Sequence, residues 1–572
     1  MKVKKKLHSL SGGQAVVKYI KTEKVRNIFG LIGSATMEIF DSLYDCKDIN
    51  FIDVRDERTG THIADGYARA SGQAGIMIAG QNGPGATNLT TGIAQAYSAF
   101  SPVITIAGAV SNEHKGKDSF QEIDQQSLFE PITKKTFTIK KTNKIPSILN
   151  QSFKIALTPK CGPVHINLPR DILSKKESFK EFSKHNIKMN IKINEKIIKQ
   201  SIDKILSTKK NVIIVGAGIK NNGNYKDVVK LAKLINTPIV SSAGHGDAIP
   251  FDEKLYMGQM GPRGNEIASK LVKEAETILA LGTRLGFNST FYSYENINKK
   301  AFIIQVDIDK KSLGRYFPIE IGICNDASKI AKILYEKILL KKEIKKINDW
   351  TKSAIHQRKI YIQKRDHEAN LESQPIKPSG LFKILRDVIP NNSAVTLDAG
   401  TLCLQATDAI NYYKPPCFFT PLDFGLVGFS FACGLGVKIA RPDSPVISLM
   451  GDGGFGMTIS ELSTAVEHKI NTITIVMNNG SWGAEKAYQR DFFKERYIGS
   501  DIKSPNFAKI SELYGAKGFK VNRIAEFGDA LKTSLNQDNP CVIDVSVDPN
   551  ELYSFRRDSF QHKSVKKKKS KF

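Results

Sequence analysis

A chain of 572 residues with 41% hydrophobic side chains is too long for one core and has room for three domains of ordinary size. No run of roughly eighteen or more apolar residues occurs, and the basic opening segment has no apolar stretch or small-residue cleavage site behind it, so neither membrane insertion nor secretion is expected and a cytoplasmic enzyme is. The net charge of +27 comes from lysines spread through the chain, dense only at Lys2 to Lys6 and Lys566 to Lys569 and without aromatic interleaving, which reads as solvated faces and tails rather than a nucleic-acid surface.

In chain order, residues 11–175 alternate short apolar strands with helix-length stretches; Asn27-Ile-Phe-Gly30, Gly75-Ile-Met-Ile-Ala79 and Pro102-Val-Ile-Thr-Ile-Ala107 are examples. That alternation predicts a doubly wound parallel sheet. A Lys-rich, almost glycine-free stretch after Leu173 reads as a linker with a leading helix. Residues 195–340 form a second segment, opening on Asn211-Val-Ile-Ile-Val-Gly-Ala-Gly218 and closing near Phe302-Ile-Ile-Gln-Val-Asp-Ile308. Its Gly-x-Gly lacks the third glycine of a dinucleotide fingerprint and reads as a tight strand-to-helix turn. A second polar stretch, 339–378, precedes the third segment, 376–556, whose strands are Ala394-Val-Thr-Leu397, Val446-Ile-Ser-Leu-Met450, Thr472-Ile-Thr-Ile-Val-Met477 and Cys541-Val-Ile-Asp-Val545. The expected fold class is α/β, with three doubly wound parallel-sheet domains.

Gly451-Asp452-Gly453-Gly454 follows directly on one buried strand of the third segment, and Asn478-Asn479-Gly480 on the next. In a parallel sheet both loops leave carboxyl ends, where open α/β sheets bind ligands. Asp452 offers a carboxylate oxygen, Asn479 an amide oxygen and Ser481 a backbone carbonyl, a ligand set suited to a Mg2+ ion that keeps its other positions for phosphate and water. The glycines let a diphosphate approach backbone amides, and a helix after Gly456 is expected to turn its N-terminus to the same anion.

Together these loops resemble the signature of the thiamine diphosphate enzymes: Gly-Asp-Gly, a spacer of some two dozen residues, then Asn-Asn. Here the spacer is 24 residues, 454–477. The resemblance implies thiamine diphosphate and Mg2+ as cofactors, with 11–175 as the pyrimidine-binding domain, 195–340 as a central Rossmann-like domain and 376–556 as the diphosphate- and magnesium-binding domain. It implies that Glu57 hydrogen-bonds the cofactor's aminopyrimidine ring and is the catalytic carboxyl; Asp56 stands where members often have His. It places Gly33, Gln81, Val427, Gly428, Thr401, Gly451 and Gly453 against the cofactor, and Gln121 near the substrate. It also implies a homodimer or homotetramer with active sites at the subunit interface.

Four stretches resemble the sulfoacetaldehyde acetyltransferase branch: Phe29-Gly-Leu-Ile-Gly-Ser34, Ile78-Ala-Gly-Gln-Asn-Gly-Pro-Gly85, Trp482-Gly-Ala-Glu-Lys486 and Phe555-Arg-Arg-Asp558. That branch handles two small anions, sulfoacetaldehyde and phosphate, for which Lys486, Arg556 and Arg557 are the cationic candidates. The other branch weighed is acetolactate synthase, whose members usually carry FAD in the middle domain; Gly216, Gly218, Gly282, Arg284 and Asp307 resemble flavin-contacting positions, and the sequence leaves FAD open.

Overall fold

The computed structural model describes residues 7–187, 191–220, 223–341, 347–555 and 560. It holds three six-stranded parallel sheets and divides into two compact units: residues 1–189 with 423–443 and 458–472, and residues 190–422 with 444–457 and 473–572.

In the first unit the sheet order is Asn50–Asp53, Asn27–Leu31, Gly75–Ala79, Val103–Ala109, Val164–Pro169, Lys135–Thr138. The chain steps outward from Asn27–Leu31 on one side, then reverses to Gly75–Ala79 on the other. The inner strands are buried on both faces, as a sheet covered by helices requires, with Gly75–Ala79 buried at every position, while the edge strands Asn50–Asp53 and Lys135–Thr138 are partly exposed. The stretch expected to be a linker starts as structure: Lys176–Phe179 pairs antiparallel with His8–Ser11. Each strand is only four residues long with a single apolar side chain, Leu10 or Phe179, so there was no apolar alternation to read.

Helix Glu57–Ser71 of this unit packs closely on helix Ser430–Ala440. A Cβ on Gly436 would lie 1.9 Å from the Ile63 carbonyl oxygen, and one on Gly66 would lie 2.2 Å from that of Cys433. Both glycines are there for backbone approach. Gly436→Ala is therefore expected to lower the stability of the protein by about 3 kcal/mol through overpacking against main chain that has no rotamer to yield, read as an earlier midpoint in urea unfolding.

The second unit holds the other two sheets. One runs Tyr256–Gln259, Ile239–Ser241, Asn211–Val215, Thr277–Leu281, Phe302–Asp307, Ile321–Cys324; the other runs Phe418–Phe419, Ala394–Leu397, Val446–Gly451, Ile473–Asn478, Cys541–Ser546, Lys517–Val521. Each again reverses direction beside its first strand, at Asn211–Val215/Thr277–Leu281 and at Ala394–Leu397/Val446–Gly451. A buried ion pair fastens the two: Lys220 meets Asp247 at 2.9 Å, and Asp247 accepts from the Cys417 and Phe418 amides at 2.8 and 2.9 Å. Helix Asp349–His367 occupies the polar stretch between them. No helix among the described residues is long and apolar enough to cross a membrane.

Candidate functional site

Reversal points of parallel sheets open a crevice between two carboxyl-end loops, and the middle and last sheets use theirs differently. In the middle sheet the crevice is filled by backbone: a Cβ on Gly218 would lie 2.7 Å from the Gly282 Cα, and one on Gly216 would lie 2.6 Å from the Gly282 oxygen. The Gly-x-Gly is thus a tight turn into the single-turn helix Ala217–Lys220. In the last sheet the crevice is open. Gly400, at φ +124°, and Gly451 have nothing within 4 Å of where a Cβ would stand.

Asp452 and Asn479 flank this open point because Val446–Gly451 and Ile473–Asn478 are parallel neighbours, Gly451 opposite Met477. Asp452 is buried; one carboxylate oxygen accepts from the Ser504 hydroxyl, and the other is buried with no hydrogen-bond partner among the described residues. Burial pushes its pKa up, against the Ser504 hydrogen bond and the neighbouring backbone N–H groups. A buried carboxylate oxygen without a donor is costly, and a hard cation is the partner that suits it. The Asn479 amide oxygen accepts from the Ser481 N–H at 3.2 Å and keeps a second lone pair. Thr401, first residue of helix Thr401–Ala409, joins the group: a Cβ on Gly483 would meet its hydroxyl at 3.2 Å and the Asn479 amide nitrogen at 3.3 Å. Trp482 closes the side of the loop, its ring 2.6 Å from where a Gly453 Cβ would be, so position 453 has no room for a side chain. Ser481 is buried. Lys486 is committed to an ion pair with Asp501 at 2.5 Å and lies 5.4 Å over the Tyr497 ring.

The helix expected after Gly456 is displaced. A five-residue helix, Asp452–Gly456, starts on the Gly-Asp-Gly itself, and the next, Glu461–Glu467, begins only after a turn. Glycine-rich sequence concealed the first, because its helix propensity is poor.

In the first unit Glu57 opens helix Glu57–Ser71, and Asp56 is its N-cap, accepting from the Arg58 and Thr59 amides at 2.8 and 3.4 Å. Capping is a sufficient reason for Asp at 56. The Glu57 carboxyl is buried, accepts from the Asn88 amide at 3.1 Å, and has its other oxygen 3.0 Å from where a Gly85 Cβ would be. Burial raises its pKa; the Asn88 hydrogen bond works the other way. Glu461 fixes the same turn by accepting from the Arg55 amide at 3.0 Å and from the Thr59 hydroxyl.

The loops 81–85 and 120–124 meet. Asn82 donates to the Phe120 and Gln121 carbonyls at 3.2 and 2.9 Å, and Gln121 adopts φ +62°. Gln81 accepts from the Ser34 hydroxyl at 3.3 Å, beside Gly33, whose backbone presses on Gly80. Val427 is half-buried in the turn between Gly425 at φ +76° and the buried Gly428 at φ +83°. The candidate residues therefore fall into two groups: Gly33, Glu57, Gln81, Gln121, Val427 and Gly428 in the first unit, and Thr401, Gly451, Asp452, Gly453, Asn479, Ser481 and Lys486 in the second. Arg556 and Arg557 lie outside the described residues. Asn88, Ser504 and Glu461 escaped sequence reasoning, since each meets its partner across a long stretch of chain with no spacing to mark it.

Comparison with known proteins matches three family models along the chain: the N-terminal TPP binding domain of thiamine pyrophosphate enzymes over residues 10–128, their central domain over 198–334 and their C-terminal TPP binding domain over 398–545. The chain is 33% identical over 568 residues to a probable acetolactate synthase large subunit of Methanococcus aeolicus, covering 95% of this chain and 93% of the relative. It is 30% identical over 592 residues to a sulfoacetaldehyde acetyltransferase of Alcaligenes xylosoxydans xylosoxydans, covering 98% and 96%. The same activity names a relative from Castellaniella defragrans, 31% identical over 583 residues and covering 97% and 96%.

Proposed function

We propose, from the premise that the chain belongs to the thiamine pyrophosphate enzyme family, that it is a sulfoacetaldehyde acetyltransferase, releasing sulfite and passing the acetyl group to phosphate to give acetyl phosphate. The observation that carries this choice is the segment Trp482 to Lys486, which leaves the Asn479 loop with Trp482 packed over Gly453 and Lys486 braced by Asp501. Sulfoacetaldehyde acetyltransferases also align over 97–98% of the chain, against 95% for acetolactate synthases. A net charge of +27 suits anionic substrates, which a positive field draws in.

Asp452, Asn479 and the Ser481 carbonyl would hold Mg2+, and the open space at Gly400 and Gly451 would receive the diphosphate, with Thr401 beside it. Thiamine diphosphate, when bound, supplies the nucleophilic carbon and electron sink that cleavage next to a carbonyl needs. This chain's own residues do the rest. Glu57, buried and with its pKa raised by that burial, is suited to hold and return a proton at a ring nitrogen. Val427, between two left-handed glycines, offers an apolar prop. The Trp482 ring keeps water from the side of the metal loop. Gln121 frames the substrate side. The reading includes a homodimer or homotetramer.

Acetolactate synthase is the second reading, favoured by relatives of 33% and 30% identity, against 30% and 31% for the sulfoacetaldehyde acetyltransferases. Phosphate separates the two. With Mg2+, thiamine diphosphate and sulfoacetaldehyde present, sulfite release is expected to rise with phosphate and to accompany acetyl phosphate mole for mole. Phosphate-independent turnover of pyruvate without sulfite would establish the second reading instead.

A further inference from the structure

A cavity of about 30 Å³ lies in the second unit, walled by the middle sheet, helix Asp349–His367 and the end of helix Thr401–Ala409. A space of this size holds one or two water-sized occupants. Asp408 is its only carboxylate, and both oxygens are engaged: one accepts from the Tyr361 hydroxyl at 2.6 Å, the other from the Asn265 amide at 3.2 Å. Arg358 and Arg365 also line it, so the wall carries surplus positive charge.

The unspent hydrogen-bonding capacity is on the donor side. The Gln259 amide nitrogen, the Tyr412 hydroxyl and the Arg365 Nη2 are buried with no partner among the described residues, and all three residues line this cavity. Gln259 and Tyr412 are only 2% and 4% exposed. The rest of each polar group is satisfied: Gln259 accepts from the Gly244 amide at 2.8 Å, and Arg365 donates to Asp366 at 3.2 Å and Asn411 at 3.3 Å. Buried donors without acceptors are costly and ordinarily find a partner. An occupant that accepts from several donors, brings no proton of its own, carries one negative charge and fits this volume meets each condition.

We propose that this cavity binds a monovalent anion of halide size, such as chloride. The anion ties Gln259 of the middle domain and Arg365 of the intervening helix to the chain just past helix Thr401–Ala409. That helix begins at Thr401, beside the Asn479 loop, so the bound anion steadies one wall of the candidate cofactor site from behind. The proposal does not depend on which substrate the enzyme takes.

The test compares thermal unfolding of the full-length protein in sodium chloride, sodium bromide and sodium gluconate at equal ionic strength. The wild-type Tm is expected to be about 3 °C higher in either halide, as mass action on a native-state site requires. Tyr412→Phe removes one donor and Gln259→Glu sets a carboxylate against the anion while keeping an acceptor for Gly244. Both are expected to lose the halide-dependent gain, and Tyr412→Phe in gluconate is expected to match or exceed the wild type, because it deletes a buried unpartnered hydroxyl. A bromide-soaked crystal should show anomalous density within reach of Arg365. A Tm indifferent to the halide, a gain that survives in both variants, or water alone in the cavity would overturn the proposal.

Discussion

Glu57→Gln is expected to leave magnesium-dependent binding of thiamine diphosphate within about threefold of wild type and to lower turnover by roughly 10²–10⁴, the range that proton transfer by a positioned side chain contributes. Gln has the shape of Glu and can still accept from Asn88, whose amide lies 3.1 Å from the carboxyl, so the helix start capped by Asp56 keeps its geometry. What is lost is a proton that can be given and taken back. The same substitution has a signature in stability. Burial raises the pKa of Glu57 in the folded protein, so its contribution is fully present below the unfolded glutamate pKa and is lost as pH rises through the higher folded value. The Gln variant should therefore lose less stability than wild type as pH climbs out of the ordinary carboxylate range. Undiminished turnover would remove Glu57 from the chemistry; a collapsed fold would show instead that the carboxylate is structural.

Asp452→Ala is expected to weaken magnesium-dependent cofactor binding by at least roughly 100-fold, about 3 kcal/mol, the scale of losing one partner of a buried charge pair. The apo protein should not suffer equally. Its carboxyl is buried with one oxygen lacking a partner among the described residues, so deletion removes a desolvation cost along with one hydrogen bond to Ser504. Isothermal titration of thiamine diphosphate with and without Mg2+, beside a thermal melt of the apo form, separates the two effects. Equal cofactor affinity in the variant would mean that the cation sits elsewhere.

The parts of the fold that were legible in the sequence are those whose physics is local. Strands such as Gly75–Ala79, Asn211–Val215 and Ala394–Leu397 are buried on both faces, which leaves a short apolar run ended by glycine or Asx, and a run of that kind is visible without partners. The convergence of the Asp452 and Asn479 loops was legible for the same reason, since two adjacent parallel strands deliver their loops to one end. Helix Asp349–His367 was not. It fully buries only Thr351 and Ala354, packs Trp350, Ile355 and Tyr361 partly buried against the middle sheet's core, and adds polar anchors, Trp350 to Glu274 at 3.1 Å and Arg358 to the Glu253 carbonyl at 3.1 Å, so no long apolar stripe repeats along its polar sequence. Glu57 could be named only through its resemblance to a family, because a lone glutamate at a helix start carries no signal of its own. Asn88, which supports it, becomes visible only when the chain is folded.

One mixture tests the proposed activity most directly: purified enzyme with Mg2+, thiamine diphosphate, phosphate and equal amounts of sulfoacetaldehyde and pyruvate, followed by NMR and a sulfite assay. Sulfite and acetyl phosphate accumulating together, with pyruvate untouched, is the predicted result. Acetolactate and carbon dioxide forming while sulfoacetaldehyde persists would contradict it.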